Sequence, residues 1–246
     1  MLAAWNSKLK VNKRLMAKLF DLHIHTTKGS SDSSLNPEEL ILEAERLNLR
    51  GLCITEHSGP WERHEFELFA SRHSVVLVRA MEVETDMGHM LAFGIDRYQS
   101  GFHKAEELRL AADAVGGFVV TAHPFRSVLS ERRRSRALLY QSVPDPLPTK
   151  PEDALDHPVF KLVHAVEVVN GGTADEENEF AMRVASQLGL PVTGGSDAHS
   201  AHGLGKFVTQ FSAEINNETE FLAGLHSGEF HPAVGLRSGQ VRPYTI

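Results

Sequence analysis

Five times in this chain a short apolar run stops at a histidine or a carboxylate. Leu19-Phe20 leads through Asp21-Leu22 to His23-Ile24-His25. Leu52-Cys53-Ile54-Thr55 leads to Glu56-His57, and Val75-Val76-Leu77-Val78 leads on to Met81-Glu82. Phe118-Val119-Val120-Thr121-Ala122 stops at His123-Pro124, and Pro191-Val192-Thr193 runs into Gly194-Gly195-Ser196-Asp197-Ala198-His199. Core strands normally end in turn residues. Short apolar runs bounded by such signals predict buried strands, and a buried parallel sheet collects its chemistry at the carboxyl ends of its strands.

The connecting segments fit that sheet. Asn36 caps a predicted helix, Pro37 suits its first position, and Glu38 and Glu39 suit its positive end. Leu40, Ala44 and Leu47 recur at helical spacing up to about Leu49, with Gly51 read as the stop. A strand–helix–strand unit this compact implies a parallel pair. Further helices are predicted over 61–72, 103–115, 174–188 and 218–225. Glu82 and Glu84 close the third strand, and His89-Met90-Leu91-Ala92-Phe93-Gly94 returns as its hairpin partner. Phe207–Phe211 reads as a late strand, with an irregular tail from Gly228.

On a strand, alternate side chains face opposite ways. His23 and His25 therefore project together, and Leu22 and Ile24 project into the opposite layer. Alone, the pair is either two ordinary strand histidines or half of a metal site. The repeated strand endings favour metal, because imidazoles with carboxylates suit zinc, manganese or iron. The donors exceed what one tetrahedral ion takes, so two or three divalent ions are expected.

The 246 residues suffice for one α/β barrel. The net charge of -7 argues against broad nucleic-acid binding, and no stable duplex binding is expected. Cys53 is the sole cysteine, so no intramolecular disulfide forms, which suits a cytoplasmic location. No apolar run approaches the roughly 18 residues of a membrane span. Residues 1–18 are basic and read as a leader, and 19–246 as one domain. Within it, 127–158 reads as a lid or insertion. It holds Arg132-Arg133-Arg134-Ser135-Arg136 and then Pro144, Pro146, Pro148 and Pro151, a basic helix followed by an extended loop. This stretch either covers the site mouth or is a solvated surface with a stiff connection.

The pieces Asp21-Leu22-His23-Ile24-His25-Thr26, Ser31-Asp32-Ser33, Pro37-Glu38-Glu39-Leu40, Ile54-Thr55-Glu56-His57, Met81-Glu82-Val83, His89, Ala122-His123-Pro124, Val166-Glu167-Val168 and Gly195-Ser196-Asp197-Ala198-His199 follow one another in an order that resembles the PHP (polymerase and histidinol phosphatase) family. The likeness is to its small, stand-alone metal-dependent phosphoesterases. The resemblance implies an α/β fold, a distorted TIM-like (β/α)7 barrel with a trinuclear metal site at the carboxyl ends of the strands. It implies nine metal ligands: His23, His25, Asp32, His57, Glu82, His89, His123, Asp197 and His199, with Glu82 bridging. It gives Asp197, His199 and Arg126 catalytic roles.

Arg126 stands three residues after His123, in a His-Pro-x-Arg pattern. A guanidinium matches phosphate through two parallel hydrogen bonds, so phosphate binding is favoured over a surface role. Glu56 is read as orienting a ligand. His64, His73, His103, His157, His164, His226 and His231 match no motif, and His202 lies near the Asp197–His199 loop without joining it.

The implied activity is hydrolysis of a phosphate ester through a hydroxide bridging two metals. The substrate is a nucleotide, short oligonucleotide or small phosphorylated metabolite, with histidinol phosphate as the alternative. Two readings from other classes remain: a metallohydrolase acting on a carbonyl centre, and a silent binding module that keeps the fold.

Overall fold

The computed structural model describes residues 18–130, 136–141 and 146–246. Strand β1 (Leu19–Ile24) pairs in parallel with β2 (Gly51–Glu56), which pairs in parallel with β3 (Val76–Thr85). Helix α1 (Pro37–Leu47) links β1 to β2, and the Asn36 side chain accepts from Glu38 N as its cap. Its stop is Asn48, left-handed at φ 55°, which donates to Ala44 O and Glu45 O. Gly51, the expected stop, opens β2 instead. Its role is steric: a Cβ built there would stand 1.9 Å from Phe20 Cε1.

The turn expected after β3 returns as β4 (Gly88–Phe93), antiparallel to β3. Strand β5 (Phe118–Thr121) is antiparallel to β4, and β6 (Ala165–Asn170) and β7 (Val192–Gly195) continue in parallel from it. Helices α2 (Arg63–Ala70), α3 (Ala105–Ala114) and α4 (Asp175–Leu188) fill the crossovers, and α4 ends on left-handed Gly189. On the other side of β1 lies antiparallel β8 (Phe207–Phe211). Helix α5 (Glu218–Ser227) then leads to β9 (Phe230–Val234) and β10 (Arg242–Pro243).

The strand order is β10-β9-β8-β1-β2-β3-β4-β5-β6-β7, one sheet of ten strands where seven were expected. The tail from Gly228, expected to be irregular, supplies two of the extra strands. Pro232 and the glycines hide that strand in the sequence, because its pairing partner β8 lies twenty residues upstream and Phe230 packs on Phe211 at 5.7 Å. The sheet curls. His25 N donates to Ala198 O at 3.0 Å and Ala198 N to His23 O at 3.3 Å, so the loop after β7 returns to the end of β1.

Strand β1 carries a bulge. Asp21 pairs with Leu52 and Ile24 with Ile54, three steps against two. Leu22 consequently packs with Phe20, and Ile24 joins a different apolar cluster with Leu35 and Leu40, so the two do not share one layer. The described part of 127–158 is packed rather than extended: Ala137, Leu139, Tyr140 and Ala154 are buried in the cluster that holds Phe125 and Val166. It forms short 3₁₀ turns, among them Leu138–Tyr140 and Pro151–Ala154. The leader up to residue 17, the basic run over 132–135 and Pro144 lie outside the described residues. Among the described residues, no helix is long and apolar enough to cross a membrane.

Replacing Gly51 by alanine is expected to destabilise the fold by about 1–3 kcal/mol through overpacking on Phe20. The urea midpoint should fall with the slope unchanged; an unchanged midpoint would mean that Phe20 has room to move.

Candidate metal centre

Each element delivers one or two donors to a single point. His23 and His25 leave β1 with ring centroids 5.1 Å apart, and both are fully buried. His57 follows β2 directly and stacks on His25 at 4.3 Å. Glu82 stands three residues before the end of β3, not at its tip as expected, because β3 runs on to build the hairpin with β4. On β4, His89 Nδ1 lies 2.8 Å from Glu82 Oε1. His123 and Asp197 each stand two residues past a strand, with φ of 32° and 53°. Such left-handed backbone costs a non-glycine residue about 1–3 kcal/mol and persists only where the surroundings fix it. For His123 the fixing bond runs from its N to Glu167 Oε2 at 2.9 Å.

All nine expected ligand positions are brought together. His23, His25 and Glu82 have donor atoms within 4.8 Å of one another; so do Glu82, His89 and His123, then His25, His57 and His199, and finally His23, His123 and Asp197. Asp32, more exposed, places Oδ2 3.4 Å from His57 Nε2 and 3.2 Å from His199 Nε2. None of the other histidines joins such a group among the described residues.

The buried imidazoles fit a cation. His23 Nδ1 lies 3.0 Å from Glu167 Oε1, and donation to that carboxylate leaves the lone pair on Nε2. His23 Nε2 is buried without a hydrogen-bond partner, 3.3 Å from Glu82 Oε2 and 3.5 Å from Asp197 Oδ1. His25 repeats the pattern. Its Nδ1 donates to Ser30 Oγ at 3.1 Å, Ser30 Oγ donates to Glu56 Oε2 at 2.6 Å, and Nε2 has no hydrogen-bond partner. Orphaned buried nitrogens beside two carboxylates are costly in a neutral cavity and suited to a divalent ion.

Three residues of this arrangement were not assigned roles from sequence. Glu167 carried a signal, a carboxylate inside the apolar run Val166-Glu167-Val168. Ser30 carried none that sets it apart from Ser31, Ser33 and Ser34. Asn170, fully buried, donates through Nδ2 to Glu167 Oε2 at 2.9 Å and accepts from Arg126 Nη2 at 2.6 Å. Arg126 Nη2 also reaches Asp197 Oδ2, and Nε donates to Thr173 Oγ1 at 3.2 Å. The expected phosphate arginine is thus fixed on a candidate ligand.

Known proteins resemble this chain in sequence and in fold. A family model described as "PHP domain" matches residues 21–138, and one described as "PHP-associated" matches 175–230. An error-prone DNA polymerase of Cutibacterium acnes is 30% identical over 81 residues, 33% of this chain; the chain spans only 6% of that polymerase. An uncharacterized protein of Methanocaldococcus jannaschii is 24% identical over 223 residues, 89% of either chain. A crystal structure of a proposed metal-dependent phosphoesterase from Bifidobacterium adolescentis superposes with a TM-score of 0.57 at 18% identity, covering 84% of this chain and 95% of that one.

The centre is strongly charged. Burial alone would push the His23 imidazolium pKa down, yet Glu167, Asp197 and Glu82 around it raise it well above the usual range. Burial opposes ionisation of Glu82 and Asp197, yet His23 and its neighbours hold both carboxyls well below the usual range. Burial, with Arg126 beside it, pushes His123 down to about 4. The three carboxylates thus favour a proton on His23 that an ion must displace. Apparent affinity for manganese should rise with pH above about 6.5, by up to tenfold per unit for each proton released. Glu167→Gln should weaken binding about 10–100-fold by releasing the His23 ring. Titration against a chelator across pH checks both; affinity flat from pH 6 to 8 would contradict the assignment of His23.

Proposed function

This chain belongs to the PHP family, and we propose that it is a metal-dependent hydrolase of phosphate esters. The observation that carries the reading is the contact of Arg126 with Asp197: a guanidinium, the group best matched to phosphate, is fixed on the edge of a buried donor cluster. His23, His25, Glu82 and Asp197 would hold one divalent ion. Glu82, His89 and His123 would hold a second, and Asp32, His57 and His199 a third, with manganese, zinc or iron as candidates. When bound, such ions polarise phosphoryl oxygens and lower the pKa of water towards about 7.

The chain's own groups do the rest. Glu167 and Ser30 hold the protons of His23 and His25 on Nδ1, so both Nε2 lone pairs face inward. Arg126, oriented by Asn170 and Thr173, offers N–H groups to a non-bridging phosphate oxygen, where charge builds as the bond to the leaving oxygen breaks. Asp197 divides its oxygens, Oδ2 to Arg126 and Oδ1 towards His23 and His25, and so ties the phosphate site to the ion site. His199 lines the open side with Asp32. We read β1 to β7 as the distorted (β/α)7 barrel of the family, residues 19–246 as one domain, and the packed segment within 127–158 as the cover of the site mouth. The substrate is a nucleotide, a short oligonucleotide or a small phosphorylated metabolite.

Phosphate release by the manganese-loaded protein tests the proposal, with a short 5′-phosphorylated oligonucleotide, a nucleotide, histidinol phosphate and an aryl phosphate as substrates. Wild type should release phosphate, Asp197→Ala should be inactive, and Arg126→Ala should lose about 10²-fold in kcat/KM. Silence on every ester, with amide or lactone hydrolysis in its place, would move the activity to a carbonyl centre.

A further inference from the structure

A cavity of about 640 Å³ opens beside the ligand cluster, with Arg126, Ser127, Arg136, Gln141, Gly172 and Glu177 in its wall. It shares that wall with the cluster. A Cβ built on Gly172 would stand 2.9 Å from Arg126 Nη2 and 3.3 Å from Asp197 Oδ2, so this bare glycine of the cavity wall packs directly against the edge of the cluster. The volume is far more than a phosphate group fills, and it falls within the range of about 300–1,000 Å³ of pockets that enclose organic ligands.

The chemistry of the wall is uneven. Arg126 stands on the cluster side. Glu177, in the first turn of α4, is 6% exposed and brings a carboxylate to the same space. Its Oε1 accepts from Leu129 N at a long 3.3 Å. Ser127, also 6% exposed, holds a left-handed backbone at φ 67° beside it. Burying a carboxylate is costly unless donors meet it, and an ionised carboxylate only accepts hydrogen bonds. A group that faces Glu177 must therefore bring O–H or N–H.

We propose that this cavity is the leaving-group subsite, and that Glu177 is its specificity residue, selecting phosphate esters of nucleoside-sized alcohols with further hydroxyl or amine donors. The inference rests on the phosphoesterase reading for its chemistry and on the cavity for its selectivity. In the hydrolysis, water adds its oxygen to phosphorus and the bond from phosphorus to the alcohol oxygen breaks. The alcohol leaves into the cavity with one proton from that water, and the other proton stays with the phosphate. An alcohol without donors displaces water from the Glu177 carboxylate without replacing its hydrogen bonds, and a second phosphate there meets like charge.

The test compares wild type with Glu177→Gln, which keeps the shape of the side chain and the acceptor for Leu129 N. One arm measures kcat/KM of the manganese-loaded proteins for adenosine 5′-monophosphate and phenyl phosphate. The other measures binding of adenosine to the metal-free proteins by calorimetry. Wild type should favour the nucleotide by about tenfold or more, that ratio should fall by about tenfold in the variant, and adenosine binding should weaken by a similar factor. An unchanged ratio, or a wild type that binds no adenosine, overturns the subsite. Adenosine binding that the variant loses, with no phosphate released from either ester, overturns the phosphoesterase reading and leaves the subsite standing. Thermal melting checks that the variant folds; if it does not, Gln141→Ala, in the wall of the same cavity, takes its place and must weaken adenosine binding.

Discussion

One carboxylate holds the centre together. Glu82, 3% exposed, lies 3.4 Å or less from a ring nitrogen of each of five imidazoles: His23, His25, His57, His89 and His123. A buried charge is tolerated only where opposite charge or hydrogen-bond donors meet it. Here the partners arrive from β1, the residue after β2, β4 and the loop after β5. The curl of the sheet, the bulge in β1 and the antiparallel return of β4 are the backbone conditions under which those partners converge on one side chain. The left-handed conformations of His123 and Asp197 are the local strain of that convergence, confined to the two loops that carry donors.

What the sequence made legible was mostly local. The alternation of His23 and His25, the histidine after β2, and the proline that stops β5 at His123 all depend on neighbours within a few residues. The parallel order of the first strands followed from the same short range. Less legible were features set by distant partners. Glu82 reads as a strand tip because nothing nearby shows that β3 continues into a hairpin. Asn48 ends α1 in the place assigned to Gly51, because the glycine answers to Phe20 on the adjacent strand. The strands β9 and β10 are invisible until β8 is in place to pair with them.

The residues that hold the donors were harder to see than the donors. Ser30 and Asn170 have ordinary side chains at unremarkable spacings, Glu167 shows only as a carboxylate inside an apolar run, and the importance of all three is geometric. Glu167 binds the ring of His23, the backbone N of His123 and the amide of Asn170, and through Asn170 it reaches Arg126. A chain of bonds results, from His23 through Glu167, Asn170 and Arg126 to Asp197, whose Oδ1 comes back to 3.5 Å from His23 Nε2. It joins the side chains proposed to hold ions to the one proposed to hold phosphate. Polar networks of this kind are stable in a buried setting when each member is satisfied, and the orphaned Nε2 atoms of His23 and His25 are the gap that a cation would fill.

We propose that one buried carboxylate, Glu82, organises a multinuclear metal site. The most direct measurement is the metal content of the manganese-saturated protein beside Glu82→Gln, by mass spectrometry after removal of free ion, with circular dichroism to verify the fold. The folded variant should lose the two ions that would share Glu82 and keep the one that Asp32, His57 and His199 would hold. A folded variant with the wild-type metal content would contradict the proposal.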